Sequence, residues 1–400
     1  MNVDTIFTAS EIATPKNRLL KGKEMQDITV IENGAVAVEN GTIVDFGKER
    51  EIRSKYSGEL IEFDGKTMLP GFVDPHTHLV FSGSREDELV MKLQGRSYLE
   101  ILEEGGGIQY TVKRTRSASK SKLKKEAKKR LDRMLKNGTT TIEAKSGYGL
   151  NRKDEIKSLE VLNELDHAID ILPTFLVHAV PEGRSEHEYV NECIGMLDEI
   201  RELAEFVDVF CEKGVFSIRE SERFLKAAKK KGFGLRIHAD EIEQTEGAAL
   251  AARLGARTAD HLLNSSETGL KAMAEKNVVA TVLPGTPFSL FTAFPDVRKM
   301  IKMGLPVALA TDLNPNCYTE SLQFIFALAV FRMKMLPAEC ISSVKNGAYS
   351  LGREIGSIDR GTNADLVLMD IPNYKHLGYH FGVNLVDTVI KDGGIVWESI

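Results

Sequence analysis

Cysteine is scarce in this chain, with four residues in 400 and no CxxC pair. Cys193, Cys211, Cys317 and Cys340 lie far apart, which fits a reducing cytoplasm better than a disulfide framework. Positive charge is not in excess either. The formal net charge of −6 argues against a general nucleic-acid or membrane-surface role. Long apolar runs are missing: none approaches the roughly 20 residues that span a bilayer. The longest, residues 324–331, reads as a buried helix. Met1-Asn2-Val3-Asp4 is not a basic segment leading into an apolar core, so no secretory signal is expected. These absences predict a cytoplasmic protein with no nucleic-acid or membrane partner.

What is present is ordinary in bulk and specific in detail. Hydrophobic content of 42% and charged content of 28% suit a globular protein. The length predicts one large domain, or a large one with a small one. Both chain ends read as β. Residues 35–46 form a hairpin around Asn40-Gly41, and residues 386–396 another around Asp392-Gly393-Gly394. Pairing the two ends gives a small β-sandwich built from residues 1–68 and 359–400. Between them, residues 69–358 alternate short apolar strands with helical patterns. The strands are expected at 71–78, 139–145, 171–178, 206–210, 234–238, 258–261, 278–283 and 307–312. Eight such units over about 290 residues predict a (β/α)8 barrel. The basic run 113–136 carries Leu123, Ala127, Leu131 and Leu135 at four-residue spacing. It is therefore an amphipathic helix with solvated lysines, and not a nucleic-acid patch.

The strand ends carry the chemistry. Residues i and i+2 of a strand share a face, so in Asp74-Pro75-His76-Thr77-His78 both imidazoles can reach one ion. Other strands end at Lys145, His178, His238, His261 and Asp312, and a barrel gathers such ends on one rim. His76, His78, His238 and Asp312 make a three-nitrogen, one-oxygen set, suited to zinc or iron rather than magnesium or calcium. Glu241, three residues after His238, is the candidate general base for a metal-activated water. His261 is placed to polarise a carbonyl. Asp312 can pass a proton to a leaving nitrogen. His167, His187, His376 and His380 read as structural or surface residues.

Pro70-Gly71-Phe72-Val73-Asp74-Pro75-His76-Thr77-His78 resembles the opening motif of the amidohydrolase superfamily, and Gly361-Thr362-Asn363-Ala364-Asp365-Leu366-Val367 its closing β segment. Further blocks narrow the likeness to its imidazolonepropionase family. They are residues 78–85, Gly105-Gly106-Gly107-Ile108, Lys145-Ser146-Gly147-Tyr148-Gly149-Leu150, His238-Ala239-Asp240-Glu241 and Leu283-Pro284-Gly285-Thr286. The resemblance implies hydrolysis of the ring amide of 4-imidazolone-5-propanoate to N-formimidoyl-L-glutamate. It also implies one Zn2+ or Fe3+ per subunit, a homodimer, and substrate roles for Arg85, Tyr148 and His178. An Arg fork suits a propionate carboxylate, and Tyr148 is expected on a mobile loop. Asn314 matches the family pattern after Asp312. Asn316 and Cys317 stand where Gly and Ser or Thr are usual, and are carried as substrate contacts on position alone. Lys145 raises the alternative of a carboxylated lysine bridging two metals, but the block that follows it is typical of one-metal relatives. The competing enzyme reading is a purine or pyrimidine aminohydrolase, which shares the metal residues but needs no carboxylate clamp. The competing non-enzyme reading, an assembly protein on a barrel that lost its metal, would lack the ligands this chain keeps.

Overall fold

The computed structural model describes residues 1–16, 18–96, 100–101 and 104–399. Four strands open the chain: β1 (Asn2–Pro15), β2 (Ile28–Glu39), β3 (Thr42–Lys48) and β4 (Ser57–Pro70). Eight more follow: β5 (Phe72–Thr77), β6 (Thr139–Lys145), β7 (Asp170–Val177), β8 (Phe206–Cys211), β9 (Gly234–Ala239), β10 (Thr258–His261), β11 (Val279–Val282) and β12 (Val307–Leu309). The chain closes with β13 (Leu366–Met369), β14 (Val386–Lys391) and β15 (Gly394–Glu398).

The strands from both chain ends join one seven-stranded sheet, in the order β15-β14-β13-β4-β1-β2-β3. Its two hairpins turn at Asn40-Gly41 and Asp392-Gly393, where all four residues have positive φ. That is the turn geometry these Asn-Gly and Asp-Gly pairs favour. The sheet curls until the two turns meet, with Asn363 Nδ2 donating to Asp392 Oδ1 at 2.7 Å and Thr42 bridged to Asn363. Val38 and Ile43 from one arm then share a core with Leu368 and Ile390 from the other. The sandwich-like interior is thus one folded sheet.

β5 to β12 pair in sequence order, all in parallel. This is a (β/α)8 barrel, whose ends close through a seam from β5 to the segment after β12. Asp74 accepts from Thr311 N at 3.1 Å and Thr311 Oγ1 at 2.6 Å. His76 O accepts from Asp312 N at 3.1 Å, and Leu313 O from His78 N at 2.8 Å. The strand expected at 307–312 stops at Leu309 for this reason. Asp312 is in the left-handed region at φ 53° and its amide bonds across the seam.

The helix Leu322–Met333 is mostly buried as expected, although Phe331 is exposed. The basic run divides at the Ser119 N-cap into Ile108–Ser117 and Lys120–Lys136. Leu123, Ala127, Leu131 and Leu135 are buried, as the stripe predicts. Arg130 departs from it: buried, it donates to Leu79 O and Phe81 O and lies over the Phe81 ring. It thereby holds the chain just beyond β5.

Removing the seam hydroxyl tests this closure. We expect Thr311→Val to leave Asp74 short of a partner and to cost about 1–3 kcal/mol. The urea midpoint should fall; an unchanged midpoint would contradict a role for this bond.

Candidate metal centre

His76 lies on β5, His78 just beyond it, His238 on β9, His261 at the end of β10 and Asp312 beyond β12. Each is at most 3% exposed. One ligand atom from each of His76, His78 and His238 lies within 4.8 Å of the others, and the same holds for His76, His261 and Asp312. Asp312 Oδ1 is 3.4 Å from Nε2 of both His76 and His78. Thr286 Oγ1 donates to Asp312 Oδ2, which leaves Oδ1 turned to the imidazoles.

The residues fit a metal ion. His76 Nε2, His238 Nε2, His261 Nδ1 and Asp312 Oδ1 are buried with no hydrogen-bond partner, a costly state unless something else pairs with them. On the far side of the rings, His76 Nδ1 is 2.7 Å from Asp260 Oδ2 and His238 Nδ1 is 3.0 Å from Asp208 Oδ2. The Asp260 carboxylate, hydrogen-bonded behind His76 Nδ1, fixes the proton there and presents the Nε2 lone pair to a cation; Asp208 lies beside His238 Nδ1 as a charge contact.

Those two carboxylates belong to a deeper charged layer. Lys145 Nζ is 2.8 Å from both Glu143 Oε1 and Asp208 Oδ2. Arg236 lies 3.5 Å from Asp260 and 3.7 Å from Glu143, and Nη2 donates to Pro75 O. All five side chains are 0% exposed. Three carboxylates against two cations leave one negative charge in excess, which favours a bound cation. The site responds to a proton in the same way. Burial and the Lys145 ammonium oppose protonation of His76, but Asp260 and Asp312 outweigh them and lift its pKa to about 9. Burial instead pushes His78 down to about 4 and His261 well below its usual value. Burial opposes the charge of Lys145, but Asp208 and Glu143 outweigh it and raise its pKa.

Glu241 sits 3.6 Å from His261 Nε2. Burial first, then Asp312 and Glu212, push its carboxyl up to about 8. The turn that carries it is built on Asp240, at φ 53°. The Asp240 carboxylate accepts from Thr245 N, Thr245 Oγ1, Gly247 N, Ala248 N and Ser265 Oγ. Glu212 accepts from Ile242 N and Glu243 N on the other side.

A cavity of about 530 Å³ opens onto this cluster, and Arg85, Tyr148, His178, Asn314 and Asn316 line it. His178 Nδ1 is 3.2 Å from Gly147 O. Tyr148 is buried, and its loop is tied down where mobility was expected. Glu155 accepts from the amides of Gly147, Gly149 and Leu150, each at 2.8 Å. The two glycines have steric causes. Gly147 has φ +109°, and a Cβ on Gly149 would meet Glu155 N at 2.4 Å. Arg85 spends its Nε and Nη2 on Glu88, at 2.7 and 2.6 Å. Asn314 organises its own turn by accepting from Asn316 N and Cys317 N. Cys317 is not brought to the cavity lining; its thiol faces Thr311 O at 3.6 Å. His167 and His187 pair with Asp132 and Glu220, away from the cluster.

Residues 67–396 match the amidohydrolase family. The chain belongs to that family. It is 48% identical to the imidazolonepropionase of Bacillus mycoides (strain KBAB4), over 99% of this chain and 96% of that one. It is 50% identical to the imidazolonepropionase of Clostridium tetani (strain Massachusetts / E88), over 94% of each. Among solved structures, guanine deaminase of E. coli superposes with a TM-score of 0.72 at 14% identity, over 99% of both chains. An adenosine deaminase from Xanthomonas campestris with bound zinc gives 0.71 at 18%, over 98% of this chain and 93% of that one. These two likenesses show the barrel and sheet in common.

The charged layer generates a prediction. Asp260→Asn keeps the shape but removes the charge behind His76. Metal affinity should fall about 10–100-fold, read by competition with a chelator. Wild-type affinity in this variant would contradict the role given to Asp260.

Proposed function

We propose that the protein is a hydrolase of 4-imidazolone-5-propanoate, an imidazolonepropionase of histidine breakdown. The observation that carries this is identity of 48% and 50% to imidazolonepropionases over nearly the whole chain. The cationic side chains in the cavity support the same reading, because a neutral nucleobase offers them no carboxylate. The deaminase alternative rests on structures at 14–18% identity, which share the fold alone.

His76, His78, His238 and Asp312 would hold one zinc or iron ion per subunit, which when bound acts as a Lewis acid and lowers the pKa of water. Glu241 takes a proton from the attacking water. His261 stabilises negative charge as it develops on the ring carbonyl oxygen. The C–N bond of the ring amide then breaks, and Asp312 relays the proton taken from the attacking water to the departing nitrogen. The carbonyl carbon becomes a carboxylate of the glutamate product, and the nitrogen leaves within the formimidoyl group. Tyr148, His178 and the 314–316 turn orient the substrate. Arg85 retains Nη1 for its carboxylate. We place the enzyme in the cytoplasm as a homodimer, with the barrel over 69–358 and the sheet domain over 1–68 and 359–400.

Freshly made imidazolonepropionate supplied to metal-loaded protein should lose its ultraviolet absorbance. Turnover of a nucleobase and none of this substrate would overturn the assignment. In the same assay Glu241→Gln should retain metal and lose at least about 100-fold in kcat. Full activity in that variant would remove Glu241 as the base.

A further inference from the structure

Arg85, Glu88 and Lys92 lie at i, i+3 and i+7 around the helix Glu86–Leu93, so they fall on one face. Arg85 and Lys92 are the Lys and Arg side chains that line the cavity, but their charges are in different states. Glu88 takes the Nε–Nη2 edge of Arg85 in a bidentate pair. Glu88 is itself fixed by the amide of Gly107 at 2.8 Å. This cancels most of the Arg85 charge before any ligand arrives. Lys92 has no carboxylate within ion-pair distance among the described residues. Its hydrogen bond goes to the neutral Asn316 Oδ1, at 2.8 Å. It is half-buried; burial first, then Arg85, lower its pKa and Glu88 offsets this only in part, so no ion pair compensates its charge.

We propose that Lys92 is the specificity-determining cation for the substrate carboxylate, with Asn316 holding its ammonium in the cavity until an anion replaces the amide. Arg85 acts beside it, through Nη1, as the partly neutralised member of the pair. This rests on the imidazolone carboxylate reading and deepens it. The cavity then has two ends. The acidic metal cluster and Glu241 meet the ring amide, and Lys92 meets the propionate. A neutral ring without a carboxylate would leave Lys92 unpaired, so the same residue selects against nucleobases.

The test is steady-state kinetics of metal-loaded wild type, Lys92→Met and Lys92→Arg on imidazolonepropionate, with metal content and thermal midpoint measured for each. Loss of a charge-assisted contact made equally to substrate and transition state raises KM and spares kcat. Lys92→Met should raise KM on the order of 10-fold or more with kcat within about twofold, and Lys92→Arg should recover most of the loss. An unchanged KM in Lys92→Met, or a fall in kcat alone, would overturn the proposal while wild-type turnover upholds the assignment of substrate. If Lys92→Met fails to fold, Lys92→Gln decides, because it keeps a polar stem and removes the charge. A KM higher by on the order of 10-fold with kcat within about twofold upholds the proposal, and an unchanged KM overturns it. Absence of wild-type turnover would instead remove the substrate reading itself.

Discussion

Asp74 on the first barrel strand grips Thr311 beyond the last, and the rest of the site depends on that clasp. The two segments are 237 residues apart in sequence. Their union carries the His76–Asp312 and His78–Leu313 backbone bonds, which set two imidazoles beside one carboxylate. A barrel left open between β5 and β12 would keep every candidate ligand and lose the cluster. Asp312 adopts the left-handed backbone region, a strained choice for a residue with a side chain. The seam imposes it, because its amide must reach back to His76.

Behind the ligands the barrel interior departs from the usual filling of branched apolar side chains. Five charges are buried with 0% exposure. Taking them from water costs several kcal/mol per ion unless each finds close partners. Contacts of 2.7–3.0 Å from Asp260 and Asp208 to the imidazoles and to Lys145 supply those partners. The arrangement is expensive in stability and useful in function. It sets carboxylates against two histidines, fixes the nitrogen that His76 presents, and leaves an excess of negative charge where a cation belongs. The raised pKa of His76 reflects the same field, with a proton in the metal's place.

Much of this was legible in the sequence because barrel function concentrates at strand ends. Two expected strands, 139–145 and 258–261, match β6 and β10 end to end. The two hairpins follow from Asn-Gly and Asp-Gly, whose turn geometry is local. The deeper layer was passed over, although a signal existed. Glu143 with Lys145, Asp208, Arg236 with His238, and Asp260 stand as charges at inward positions of otherwise apolar strands. Attention to strand ends reaches Lys145 and His238 and misses Glu143, Asp208, Arg236 and Asp260. The tied-down Tyr148 loop was not legible, because Glu155 acts from the following helix. Neither was the withdrawal of Cys317 from the cavity, which depends on how tightly the 314–317 turn is drawn by Asn314. The division of labour between Arg85 and Lys92 depends on which cation Glu88 neutralises, and only the packed helix decides that.

The proposed mechanism rests on a single ion held by the seam and oriented by the charged layer, with Lys145 an ammonium behind it. The most direct test is titration of metal-free protein with zinc, reading bound metal per chain and protons released on binding. We expect saturation at one tight equivalent per chain, with release of a proton from the imidazole cluster. Saturation at two tight equivalents, dependent on added bicarbonate, would show a carboxylated Lys145 bridging two ions and would contradict it.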